Sequence, residues 1–222
     1  IWAGTIPATG IEGARVNYYI SATDDGINQG EVETSTFPYD TDVSQFGYVS
    51  KDGDLSIEDI QFTDWGSGDS PYDGCEVTVT GIVTADTAQY NSGYGAYAIQ
   101  SEASPWHGIV FDGWDDTELS KGDEVTITGT VEEYDAEWHF KYDNNTKLIN
   151  ISDITVNSTG NAMTAMTVST ADLDQDADEV ESYEGCLVTV SGVTVSAVNA
   201  PYDWSIVDDS GVECLIDDDM AN

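Results

Sequence analysis

The side chains of this sequence with a capacity for chemistry are mostly carboxylates. Asp172, Asp174, Asp176 and Asp178 alternate along one stretch as calcium-loop ligands do, because Ca²⁺ takes oxygen donors from closely spaced side chains. The glycine of the sharp turn and the distal bidentate Glu of the EF-hand pattern are absent. The same acids also suit the first turn of a short helix with Thr170 as its N-cap. Asp24-Asp25-Gly26 and Asp217-Asp218-Asp219 carry the same two readings. His107 and His139 each adjoin a Trp, and neither has metal-ligand spacing to a second His or Cys, so each reads as a packing or sheet-face residue. No G-x-S-x-G, H-E-x-x-H, P-loop or dinucleotide fingerprint occurs. Paired carboxylates carry little information where acids are this frequent. The chain is therefore expected not to be an enzyme, with Ca²⁺ the one cofactor the pattern admits.

Three cysteines bear on covalent structure. Cys75 and Cys186 occupy matching points of a repeated phrase, and Cys214 has no counterpart at the same offset. A Cys186–Cys214 disulfide with Cys75 left over is one reading, and buried reduced thiols are the other. Asn144, Asn150 and Asn157 satisfy the N-x-S/T rule and are glycosylation candidates in a competent secretory system. Trp106, Trp114 and Trp138, with several tyrosines nearby, fit either a carbohydrate-stacking face or core and interface packing.

Charge narrows the partners. The chain has 43 Asp and Glu against 5 Lys and Arg, a formal net charge of −38. Nucleic acids and anionic membranes are bound by displacing counterions with basic residues, so both are excluded as expected partners. A cationic ligand, Ca²⁺ or simple solvation in salty water suits the balance better. The 12 Tyr, 6 Trp and 5 Phe, together with long Val/Thr/Ile alternations, mark an ordered β protein rather than an acidic disordered one. No apolar run reaches the ~18–20 residues of a membrane span, and no basic-then-apolar leader is seen. The chain begins at Ile1 rather than Met, as a mature or trimmed product does.

The elements that must position these residues are organised around a phrase that occurs twice. YDGCEVTVTGIVTA starts at Tyr72 and YEGCLVTVSGVTVSA at Tyr183, with Gly74 and Gly185, Val77 and Val188, and Gly81 and Gly192 at one offset. Each copy predicts a tight turn, then a strand with one apolar face, then a glycine at a bend or bulge. Three modules follow: 1–50, 51–160 and 161–222. In the first, 1–6, 16–22 and 46–49 read as strands. The run IPATGIEGARVNYYISATDDG resembles the closing half of immunoglobulin-like or fibronectin-III-like modules, which implies a partial β-sandwich short of the usual seven strands.

In the second module, 55–62 reads as a lead-in strand. Strands are then expected at the phrase, 94–100, 108–111, 124–131, and 138–141 with 148–154. The stretches SPYDGCEVTVTGIVTA, GAYAIQSE, GIVFDGW and LSKGDEVTITGTVEEY resemble the OB modules that accompany secreted bacterial nucleases, implying a complete five-stranded barrel. The third module repeats the lead-in over 163–169 and offers strands at 203–208 and 212–217 without a fourth or fifth. The expected fold class is thus all-β: a partial Ig-like sandwich followed by two OB-like barrels, the second incomplete or completed in trans.

An incomplete sandwich and an incomplete barrel expose unpaired edges, so a partner is expected to complete them. The first functional expectation is a secreted or cell-surface structural protein whose copies exchange strands, with Ile1, Trp2, Ala3, Gly4, Thr5 and Ile6 as the donor. Such exchange resembles the donor-strand mechanism of bacterial pili, and a head-to-tail contact that does not close makes a filament. The alternative is a ligand-binding accessory module of a larger secreted enzyme, recognising a glycan or acting in Ca²⁺-dependent adhesion.

Overall fold

The computed structural model describes residues 5–6, 9–25, 32–39, 45–64, 68–85, 96–112, 118–133, 145–199 and 203–217. At its centre is a closed barrel of five strands: β5 (Glu76–Ala85), β6 (Ala96–Gln100), β7 (Gly108–Asp112), β8 (Glu124–Glu133) and β9 (Thr146–Ser158). Going round, the order is β5-β6-β7-β9-β8. All neighbours are antiparallel except the β7–β9 pair. This connectivity is compatible with an OB arrangement. The described residues are all-β apart from one short helix and one 3₁₀ turn.

Alternation explains the closure. Val77, Val79 and Val83 of β5 point inward and meet Val125, Ile127 and Val131 of β8, Ile99, Ile109, Phe111 and Leu148, all buried. Tyr97 stacks on Phe111 with ring centroids 5.2 Å apart. The intervening threonines face outward and pair across the strands, Thr78 with Thr128 and Thr80 with Thr126, each at 2.8 Å. The strand expected over 138–141 lies outside the described residues.

The lead-in over 55–62 is not a strand but the helix α1 (Ile57–Gln61). Ser56 and Asp59 form a capping box. The Asp59 amide donates to Ser56 Oγ at 3.2 Å, while the Ser56 amide and hydroxyl donate to Asp59 Oδ2 at 2.9 and 2.7 Å. Burial works to raise the Asp59 carboxyl, but hydrogen bonds from Lys51 and Ser56 outweigh it and hold it below its ordinary value. The helix packs on β5 and β7, and Ile57 and Ile60 are fully buried in the barrel core. Gly81 makes room for this plug: a Cβ there would stand 3.1 Å from Ile99 Cβ and 3.2 Å from Ile57 Cδ1. We expect Ser56→Ala to lower stability by about 1 kcal/mol, read from the midpoint of urea unfolding.

The N-terminal module docks on this barrel. The strand expected over 16–22 is divided at Tyr19 into β1 (Ala14–Tyr18) and β2 (Ile20–Thr23), which have different partners. β1 pairs with β4 (Phe46–Ser50), and β2 pairs with β3 (Thr34–Phe37), a strand the sequence pattern did not disclose. The β1–β4 pair is seated on the barrel. The Val49 amide donates to Tyr72 Oη at 2.6 Å, and the Arg15 guanidinium donates to the Glu58 and Asp59 carbonyls while lying 4.3 Å from the Phe62 ring centroid. A two-stranded sheet that is marginal alone in water is in this way supported by the barrel of its own chain. The β2–β3 pair gains no such cover, and every residue of β2 is exposed.

The third module has no closed barrel among the described residues. β10 (Met166–Val168) pairs in parallel with β11 (Val188–Val190), while β12 (Thr194–Asn199), β13 (Asp203–Val207) and β14 (Glu213–Asp217) form a three-stranded antiparallel sheet. The repeated glycine has diverged. In the first copy β5 runs unbroken through Gly81, but in the second the strand stops around Gly192, whose φ is +71°. The bulge falls elsewhere, between Val83 and Ala85 in one copy and between Val195 and Ala197 in the other.

Candidate interaction surface

Two surfaces of the third module bear on function: the seam where it meets the barrel and the face it leaves open. The seam is built from the second copy of the phrase. Its turn glycine, Gly185, has φ +64° and lies against Gly108 of β7. A Cβ on Gly108 would come 2.3 Å from the Gly185 carbonyl carbon, so the two backbones meet where no side chain fits. Gln100, buried at the end of β6, spans the joint. Its Oε1 accepts from the Leu187 amide at 2.6 Å, and its Nε2 donates to the Glu102 carbonyl at 2.6 Å. The Trp106 amide donates to the Ser182 carbonyl at 2.6 Å.

Behind this contact lies a group of carboxyls from both modules. Glu133, at the end of β8, accepts from the Ser70 amide and the Thr146 hydroxyl, both at 2.7 Å. Glu181 belongs to the 3₁₀ turn Val180–Tyr183, and Glu184 follows it. Glu184 Oε1 is buried and has no hydrogen-bond partner. Burial first, then the charges of Glu181 and Glu133, push the Glu184 carboxyl up to about 10. Burial also raises Glu181 and Glu133.

The open face shows what the second copy lacks. By strand pairing, Val195, Ile206 and Cys214 occupy the places of Val83, Ile99 and Ile109, since each set lies in register across three adjacent strands. The first-copy residues are all 0 % exposed; Ile206 and Cys214 are likewise buried, at 5 % and 7 %, while Val195 on the outer strand is 56 % exposed. Val198 is 75 % exposed on the same strand, and Leu215, which pairs with Ser205 on the opposite face of the sheet, is 42 % exposed. Among the described residues β12 is an edge strand, paired on one side only with β13. Residues 185–202, which include β11 and β12, contain no Asp, Glu, Lys or Arg. An apolar, uncharged edge in so acidic a chain has the composition of an interface core.

The residues singled out from the sequence are dispersed. Asp172, Asp174, Asp176 and Asp178 lie in a run of turns rather than a helix, and no three acidic, His or Cys side chains gather as a metal site among the described residues. Asp172 instead accepts from the Ser169 amide and hydroxyl at 2.8 and 2.7 Å, repeating the Ser56–Asp59 box. Ser169 thus closes the turn with Asp172, while the Thr170 hydroxyl donates to Asp208 Oδ1 at 2.8 Å. Like-charged acids spaced two and four apart, with Asp a poor helix former, explain why the helix does not continue here.

The Cys186–Cys214 bridge is not formed, and all three cysteines are free. Cys186 sits in the seam near the Ser104 carbonyl, and Cys214 fills the core place of Ile109 in β14. Trp114, Trp138 and Asn144 lie outside the described residues. Trp106 has φ +69° and meets Phe62 edge to face at 5.5 Å, which makes it a packing residue of the seam. Asn150 and Asn157 are exposed on β9, and Asn157 Nδ2 donates to Thr126 Oγ1 at 2.9 Å. Ile1 to Gly4 are outside the described residues, while Thr5 and Ile6 are exposed and in no strand. His107 Nε2 stands 3.9 Å from Glu58 and from Glu102, and His139 is outside the described residues. The sequence missed the carboxyl group at the seam, for which the repeated glycine at 185 was the only visible signal.

No helix among the described residues is long and apolar enough to cross a membrane. Comparison with family models, with curated proteins and with solved structures returns no match to this chain.

Proposed function

We propose that this protein is a non-enzymatic, extracellular structural subunit whose copies complete one another's open sheets by β-strand addition, giving a filament or surface assembly. The supporting observation is the β12 edge, where Val195 is 56 % exposed although its counterpart Val83 is 0 % exposed in the closed barrel. Adding a strand there pairs the outer backbone groups of β12 and shields Val195 and Val198 in one step. The donor is the N-terminal segment, since residues 1–11 carry no charged side chain and bring no repulsion to an uncharged acceptor. Elsewhere the −38 charge opposes association, and salt at physiological strength screens it beyond about 8 Å.

Light scattering on size-fractionated protein tests this. The wild-type chain should elute as multiples of 23.9 kDa, more so as salt rises. Val195→Lys combined with Val198→Lys should yield a folded monomer with unchanged circular dichroism, as should deletion of residues 1–6. A wild-type protein that stays monomeric at high concentration and high salt would sink the reading.

A further inference from the structure

We propose that the Glu133, Glu181 and Glu184 carboxyls form a proton-held clasp that closes the third module onto the barrel in acid and releases it as the pH rises. The clasp is a property of one chain and stands apart from assembly between chains.

The geometry carries the argument. Glu133 comes from the barrel, whereas Glu181 and Glu184 come from the segment that carries Gly185 into contact with Gly108. The Glu181 carboxyl lies over Gly68, where a Cβ would come 2.7 Å from its Cδ, and Gly68 is two residues from Ser70, whose amide is held by Glu133, so carboxyls of both modules meet at this loop. Glu184 Oε1 is buried at this seam without a hydrogen-bond partner among the described residues. Glu133 cannot turn away, because the Ser70 amide and Thr146 hydroxyl hold it at 2.7 Å each. The titratable groups facing the cluster are themselves acidic: Asp69 and Asp73 from the loop ahead of β5, and the Cys186 thiol on the third module. Lys147, which follows Thr146 on β9, is a cation beside the cluster, with its Nζ 3.7 Å from Asp112 and 3.6 Å from Glu132.

The sign follows from proton uptake. A released Glu184 titrates at its ordinary value of 4.5, and the docked one is pushed up to about 10. Between those limits, docking binds one proton that the released state lacks. The docking equilibrium is therefore fully favourable below 4.5, weakens about tenfold for each pH unit above it, and loses the whole contribution above about 10.

Hydrogen exchange on the full chain reads the clasp directly. The Leu187 amide, bonded to Gln100, and the Trp106 amide, bonded to Ser182, both cross the seam and exchange when it opens. After correction for intrinsic rates, their opening constants should rise by up to about tenfold per unit from about pH 5 to about pH 9, while Val125 and Ile127 in the barrel show no such slope. Glu184→Gln keeps the size and polarity of the protonated acid and should flatten the seam profile. Protection at Leu187 and Trp106 that is independent of pH, or an undiminished slope in Glu184→Gln, would overturn the clasp. Should that variant fail to fold, Glu181→Gln replaces it. Removing the neighbouring charge should move the upper limit of the sloping range to lower pH, and an unmoved limit would overturn the proposal equally.

Discussion

Ile60→Ala is expected to destabilise the barrel by about 2–5 kcal/mol, seen as a lower midpoint in urea with an unchanged slope. Ile60 is 0 % exposed, as are its neighbours Ile57, Ile99 and Ile109. It is carried by a helix of five residues, far too short to hold itself in water, so its order comes from the core it plugs. The walls around it cannot collapse into the vacated space, because a closed ring of five paired strands fixes their separation. The lost burial therefore adds to a cavity. Val195→Ala, at the matching face of the second copy, should change the stability of the monomer by no more than about 0.5 kcal/mol. A small effect at Ile60 would mean that α1 does not seal the barrel.

Gly108→Ala should undock the third module while the barrel stays closed. The added methyl would sit 2.3 Å from the Gly185 carbonyl carbon and 2.5 Å from the Cys186 nitrogen, both backbone atoms that no rotamer change can move. Overpacking in a fixed site costs about 1–3 kcal/mol, and a clash against backbone lies at the upper end. Limited proteolysis should then cleave between 159 and 187, with the fragment containing β5 to β9 resistant. Gly74→Ala is the control. Gly74 has φ +75° but nothing within 4 Å of a new Cβ, so that variant carries only the strain of a left-handed residue, about 1–2 kcal/mol. Equal proteolysis profiles for the two variants would remove the seam's special dependence on close backbone approach.

The barrel was legible because alternation and closure say the same thing: Val77, Val79, Val125, Ile127 and Val131 all fall on one face and are all buried. The helix was not. Ile57 and Ile60 sit three apart within a stretch too short to show a helical period, and the deciding signal was the Ser56–Asp59 box rather than the apolar pattern. Cys214 seemed to lack a counterpart because loop lengths differ between the copies. The offset set by the phrase has drifted by the third strand, and only pairing across β12, β13 and β14 equates Cys214 with Ile109. The carboxyls of the seam were invisible for a different reason. With 43 acids in the chain, no spacing distinguishes Glu133, Glu181 and Glu184, which are brought together solely by tertiary contact.

The bulge shared by the two copies decides what kind of neighbour β12 accepts. With Ser196 as the extra residue, the edge turns partway along its length, as β5 does at Thr84. A straight ribbon can follow one half of such an edge and then diverges from it, so flat cross-β stacking finds only a few residues of grip. A strand already bent to the same degree stays in register throughout. If β12 is the acceptor edge proposed above, its curvature would select strands bent to the same degree over flat ribbons.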